Sequence, residues 1–296
     1  MLDRGETPMM RTVIVIVADE GYLPHAKALM VNCVRQGEWK GDFCLVLPST
    51  VDQTYFESRG IHVLVDDEPT YFKKFAVFDN FFLQQEITRW NTPQNKWDVC
   101  LYLDCDVLIQ APLEPLLYEW QCGGVLAVRE PFDLAHGFTH WATPELLSDP
   151  KAMEAYRWLW SNYDPRRKQF NTGIMIYQLH TLPANLRREL QSIQERIALI
   201  NTHVAKGTDQ TVFNLVLHDF FEAVRSRLFC YWYEAGPQTI VIHYNSGYAP
   251  WIEKGRDQNA FYNAKLNRVC YDLYLENLAA FESVFPLKEQ TCSVLP

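Results

Sequence analysis

The amino-acid sequence predicts an α/β protein: a single Rossmann-like domain with a central, mostly parallel sheet flanked by helices. Continuous apolar runs rich in β-branched residues, such as TVIVIV, CLVL and HVLV, have the composition of strands buried on both faces. Stretches with apolar residues three and four apart separate them, as crossover helices require. At 296 residues, 48% of them hydrophobic, the chain is long enough to bury a full core.

The first element is the strand TVIVIV, followed by helical spacing through Leu23, Ala26, Leu29, Met30 and Cys33. DFCLVLP and IHVLVDD repeat the buried-strand pattern on either side of a short helix at QTYFESRG, which makes βαβ units. The aromatic amphipathic stretch FKKFAVFDNFFLQQEITRW runs through a polar loop, NTPQNK, into WDVCLYLDCDVLIQ, which reads as one central strand. GGVLAVRE, FNTGIMIYQL and TIVIHYN read as later strands. Leu182, Leu186, Leu190, Ile193, Ile197, Ile200 and Val204 line one face of a helix closed by Gly207. Helical spacing returns in FYNAKLNRVCYDLYLENLAAFESVF, so the expected organisation is a domain over residues 11–255 with a packed helical extension over 256–296.

A net charge of −9 argues against nonspecific attraction to nucleic-acid phosphates or an anionic membrane surface. No apolar run has the length of a membrane span, and the first residues lack the layout of an export signal. The eight cysteines show no CxxC pair or repeating interval, so they are expected to be reduced thiols in a cytoplasmic protein.

Chemistry concentrates in a few places. In LYLDCDVLIQ, Asp104 and Asp106 stand one residue apart at the end of an apolar strand, where like charges raise each other's cost. With 17 aspartates in the chain, chance supplies about one such pair, so its position carries the meaning: ligands of open α/β sheets bind at the carboxyl ends of strands. A hard divalent cation would turn the repulsion into coordination. His243, at the end of another apolar strand, would add an imidazole, and two carboxylates plus an imidazole favour manganese, with magnesium as the alternative. Asn171, Thr172 and Gly173 open a strand with small polar groups, while Asp209 and Gln210 sit at an expected helix start with Thr208 as its N-cap. Taken alone, each has a plain structural reading: a solvated edge for the aspartates, a hydrogen-bonded core or surface residue for His243, and a turn or cap for the other two motifs.

In this order the pieces resemble retaining nucleotide-sugar glycosyltransferases of family 8, the GT-A-fold group that includes glycogenin and bacterial galactosyltransferases. The resemblance runs from about Thr12 to Trp251. VADEGYLPHAKALMVN is similar to the family's uracil-binding loop, which places Ala18, Asp19 and Tyr22 around the base. Lys74 in KKFAVF resembles the donor-contacting lysine, with Lys73 its neighbour. LYLDCDVLI resembles the metal motif, making Asp104 and Asp106 ligands with Cys105 between them, side chain toward the core. FNTGIMIY is similar to the stretch that contacts the donor sugar, TDQTVFN carries Asp209 and Gln210 to the reacting face, and His243 falls at the third metal ligand. The family's late HFxGxxKPW reads HYNSGYAPW here, so Gly247 is displaced by one and Ala249 replaces the diphosphate-binding lysine, for which Lys254 is a candidate substitute.

The resemblance implies metal-dependent, retaining transfer of a hexosyl group from a UDP-sugar, UDP-glucose or UDP-galactose first, to an acceptor hydroxyl. The absence of a Gly-rich phosphate loop in ADEGYLPH counts against a nucleotidyltransferase. A nucleotide-sugar hydrolase and a non-catalytic glycan- or nucleotide-sugar-binding protein are the rival readings.

Overall fold

The apolar runs do become strands, and their pairing order places the polar motifs. The structure, a computed structural model, describes residues 11–68, 70–77, 97–119, 124–141, 143–178, 185–201, 208–223, 229–231, 235–244, 249, 251 and 253–288. Strands β1 (Thr12–Val17), β2 (Asp42–Leu47), β3 (His62–Val65) and β4 (Val99–Leu103) lie parallel in the order β3-β2-β1-β4. Helix α1 (Leu23–Arg35) links β1 to β2, and α2 (Gln53–Glu57) links β2 to β3. Helix α3 (Thr70–Val77) follows β3.

The expected single strand over 97–110 is two strands. β4 ends at Leu103, Cys105 and Asp106 form a turn, and β5 (Val107–Ile109) leaves the main sheet. It pairs antiparallel with β10 (Val241–His243), which pairs parallel with β9 (Phe229–Tyr231), so a second, three-stranded sheet stands beside the first. The register sets His243 opposite Val107, one residue beyond Asp106. Periodicity did not reveal the break because both halves are equally apolar and equally buried.

The main sheet continues through β7 (Lys168–Gln178), β6 (Val125–Asp133) and β8 (Phe221–Ala223). β7 runs antiparallel to both β4 and β6, pairing Leu103 with Ile174. This reversal brings the first residues of β7, including Asn171, Thr172 and Gly173, to the exit of β4.

Side chains alternate between two cores, as buried strands require. Val13, Val15, Cys100, Tyr102, Met175 and Tyr177 face Phe75 of α3, Leu159 of α4 (Pro150–Asn162), Leu190 of α5 (Leu186–Asn201) and Phe213 of α6 (Thr208–Val216). Ile14, Ile16, Leu101, Leu103, Ile174 and Ile176 face α1 and Phe281 of α7 (Glu253–Val284). Helix α5 spans less than the apolar stripe predicts; Leu182, Val204 and Gly207 lie outside the described residues, as does most of the aromatic stretch and the NTPQNK loop. Thr208 is the first residue of α6 rather than a position before it. Helix α7 begins at Glu253, ahead of the extension expected over residues 256–296.

No helix among the described residues is long and apolar enough to cross a membrane. Cys33, Cys44, Cys100, Cys105 and Cys270 are buried free thiols.

Candidate metal and donor site

The site is built at the exit of β4. Asp104 follows the last strand residue, and its backbone N–H donates to the Gly173 carbonyl at 2.8 Å, so the β4–β7 ladder extends to the first carboxylate. The turn then projects Asp106, while Cys105 points away, its thiol 3.4 Å from the Val17 carbonyl. Tyr244 N–H donates to the Asp106 carbonyl at 2.9 Å, tying the turn to the chain just beyond β10.

His243 Nε2 lies 3.2 Å from Asp106 Oδ1 and 4.0 Å from Asp104 Oδ2. One ligand atom from each of Asp104, Asp106 and His243 can be chosen so that all lie within 4.8 Å of one another. Gly173 makes room for the imidazole: a Cβ built there would collide with the His243 ring. Glycine is therefore required here for close approach, not for backbone conformation.

Electrostatics divides the two aspartates. Burial raises the Asp104 pKa, Asp106 and Asp209 push the same way, and Lys74 with His243 only partly opposes them, so Asp104 stays above the ordinary carboxylate value. Burial would also raise Asp106, but His243 and Lys74 outweigh it and hold Asp106 low. Burial would lower the His243 pKa, yet Asp106 and then Asp104 hold it above its usual value.

Lys74 is the hinge of the site. Its Nζ lies 2.8 Å from Asp104 Oδ1 and 2.8 Å from Asp209 Oδ2, with the side chain 12% exposed. Lys73 turns elsewhere, donating to the Glu68 carbonyl. Tyr102 Oη donates to Asp104 Oδ1 at 2.5 Å. Sequence alternation puts Tyr102 on the same side as Asp104 and was the available signal for this contact.

Asp209 Oδ2 accepts from Thr172 Oγ1 at 3.2 Å. Asn171 Nδ2 donates to Gln210 Oε1 at 3.1 Å, and Gln210 Nε2 donates to Glu130 Oε1 at 3.3 Å. The buried Glu130, on β6, is thus part of the cluster, and nothing in its local sequence marked it.

Ala18 is fully buried, Asp19 Oδ1 accepts from the Tyr22 N–H at 3.1 Å, and Tyr22 is 43% exposed. These residues follow β1, beside the exit of β4. Ala249 is fully buried in an apolar cluster with Leu108, Ile242, Tyr244 and Trp251. Gly247 lies outside the described residues, and so does the side chain of Lys254.

The donor set fits a divalent cation. Asp106 Oδ1 is buried, and the group nearest to it is the His243 imidazole at 3.2 Å, itself a potential metal ligand. A buried carboxylate oxygen left this way is costly, and coordination would satisfy it. Oxygen and imidazole ligands together suit a divalent cation.

The fold has known counterparts. The glycosyltransferase GlyE of Streptococcus pneumoniae TIGR4 superposes with a TM-score of 0.58 at 15% identity, over 93% of this chain and 63% of GlyE. The galactosyltransferase LgtC, solved with donor and acceptor sugar analogs, gives 0.55 at 15% identity, over 89% of this chain and 95% of LgtC. WbbM, a bifunctional glycosyltransferase, gives 0.54 at 15% identity, and the chain spans 50% of its length. These likenesses establish the GT-A fold. No curated protein sequence matches the chain. The sequence profile of Glycosyl transferase family 8 matches residues 87–255, more than half of the chain, from before β4 to beyond β10. With both metal-motif strands inside that span, the chain belongs to glycosyl transferase family 8.

Proposed function

We propose that the protein is a metal-dependent retaining hexosyltransferase that moves glucose or galactose from the UDP-sugar to an acceptor hydroxyl, with manganese, or else magnesium, as its cation. The observation that carries this is the convergence of Asp104, Asp106 and His243, linked through Lys74 to Asp209. Asp104, Asp106 and His243 would hold the cation, which would supply positive charge against the charge that develops on the departing diphosphate.

The chain's own groups have separable tasks. Ala18, Asp19 and Tyr22 bound the nucleotide base. Asp104, with the backbone of Cys105, and Asp106 form the floor of the diphosphate site, and Lys74 neutralises excess carboxylate charge beneath it. Asn171, Thr172 and Gly173 meet the donor sugar, Gly247 and Lys254 belong to the phosphate end, and Asp209 orients the sugar. Gln210, an amide with its oxygen engaged by Asn171, is a poor nucleophile, which favours front-face attack by the acceptor hydroxyl with the leaving phosphate taking the proton. Residues 11–255 form the catalytic domain and 256–296 its packed extension, and the buried free thiols support a cytoplasmic setting.

The test is direct: incubate the protein with manganese and a panel of nucleotide sugars, with and without candidate acceptors, and measure nucleoside diphosphate release. Release from a UDP-hexose that chelation abolishes is the expected result. Release from none of them overturns the proposal.

A further inference from the structure

Tyr102 brings a hydroxyl to Asp104 from inside the core. Its register partners are Val15 on β1 and Met175 on β7, so the fully buried ring sits in the middle of the sheet. A buried hydroxyl needs a partner. Tyr177, buried in the same core, donates its own to the backbone carbonyl of Val77 at 2.6 Å. Tyr102 instead donates to a metal-motif carboxylate, Asp104 Oδ1, at 2.5 Å.

This contact decides how Asp104 can be used. A carboxylate oxygen has about two acceptor positions. At Oδ1 two donors are in place, Tyr102 Oη at 2.5 Å and Lys74 Nζ at 2.8 Å. Oδ2 is approached by Lys74 Nζ at 2.9 Å, and it is the oxygen set 4.0 Å from His243 Nε2. Among the described residues, the acceptor position left on Asp104 is therefore on Oδ2. Lys74 has a flexible stem and a second partner in Asp209, whereas Tyr102 is held by the strands on both sides of β4.

We propose that Tyr102 is a positioning residue that sets which cation the site accepts: by holding Oδ1 it makes Asp104 a one-oxygen ligand through Oδ2, which favours manganese or magnesium over calcium. This inference rests on the reading of Asp104, Asp106 and His243 as a divalent-cation site. Calcium gathers about six to eight oxygens and often takes both from one carboxylate, whereas magnesium and manganese keep to about six ligands. A hydroxyl fixed on Oδ1 denies calcium the second oxygen of Asp104 and leaves the smaller coordination set intact.

The test uses the full chain, with manganese and calcium as probes, each titrated calorimetrically. Tyr102→Phe keeps the ring and removes the hydroxyl. It is expected to weaken manganese by about tenfold while calcium stays within about twofold of the parent or binds more tightly, so the manganese-to-calcium ratio falls about tenfold. In an Asp104→Asn background the same change should have no further effect on either ion, because Tyr102 acts through that carboxylate. An unchanged ratio, whether both ions weaken equally or neither does, would make Tyr102 a structural support only and overturn the proposal. An undiminished effect in the Asp104→Asn background would overturn it as well. A parent that binds manganese but releases no nucleoside diphosphate from any nucleotide sugar would refute the transferase reading, and the ratio would still decide on Tyr102. A parent that binds neither ion would overturn both. Thermal unfolding matched to the parent shows that the variant is folded. If Tyr102→Phe does not fold, the parent decides: calcium should bind at least about tenfold more weakly than manganese, and equal affinities would overturn the proposal.

Discussion

The ammonium of Lys74 lies 2.8 Å from Asp209 Oδ2 while also 2.8 Å from Asp104 Oδ1, so one buried cation joins the metal-motif aspartate to the carboxylate at the start of α6. Removing it leaves the Asp209 carboxylate in a low-dielectric setting without this counter-charge and leaves Asp104 with only the more distant His243. Lys74→Met should therefore lower metal-free stability by about 3 kcal/mol, as breaking a buried pair does. Urea unfolding measures the loss, and added manganese should recover more stability in the variant than in the parent. An unchanged midpoint would show that Lys74 is not the counter-charge.

Metal affinity should rise with pH. A protonated imidazole cannot ligate, so binding expels a proton from His243, whose pKa is held above the ordinary 6.5. Affinity for manganese should climb as pH rises from 6.5 through that raised value. The metal-free protein behaves oppositely: the stabilisation from the raised His243 pKa is full below its ordinary pKa and fades as pH rises through the folded value. Asp106, held low, contributes stability above its ordinary pKa and loses it only as pH falls through the depressed one. Titrations of manganese in two buffers of different ionisation enthalpy read the proton release.

Gly173→Ala tests the close approach of β7 to His243. The added Cβ meets the imidazole, so the ring must move out of its position beside Asp106. Overpacking of this kind costs about 1–3 kcal/mol, and the displaced ligand should weaken manganese by about tenfold or more. Manganese affinity equal to the parent's would show that the ring accommodates the methyl in place.

Asp209→Asn and Glu130→Gln separate the carboxylate proposed to orient the sugar from the group behind it. Asp209→Asn should reduce turnover at saturating donor by about a hundredfold; a value within a few-fold of the parent would remove its proposed role. Glu130→Gln disturbs the acceptor of the Gln210 amide, and about a tenfold drop in kcat with little change in donor KM is expected.

The C-terminal helix should prove inseparable from the rest. Phe281 of α7 is 2% exposed and packs in the core shared with α1 and the sheet, so Phe281→Ala should cost about 3–5 kcal/mol in urea unfolding. The exposed partner nearby behaves differently: Glu282, whose carboxylate is held below the usual range by hydrogen bonds from Tyr55 and then Arg59, has a side chain 60% exposed, and Glu282→Ala should have a small effect.

Much of this was legible from local pattern. The apolar runs became β1 to β4, Asp104 and Asp106 stood just past the end of a buried strand, and Cys105 turned to the core. The resemblance carried by these short motifs pointed to the family that the profile then matched. Glu130 was not legible, because it has no distinctive neighbour in sequence. Its partners, Asn171 and Gln210, come from other elements.

The sequence by itself determined which segments are buried and which residue types can ligate, since burial imposes a period and chemistry resides in side chains. Only the tertiary structure decided that β5 leaves the sheet after Asp104, that β7 runs backward beside β4, and that Lys74 spans Asp104 and Asp209. Pairing direction and register are set by contacts between distant segments, about which a local apolar pattern is silent. The reversal of β7 brings Gly173 against His243, and the departure of β5 brings His243 to the aspartates.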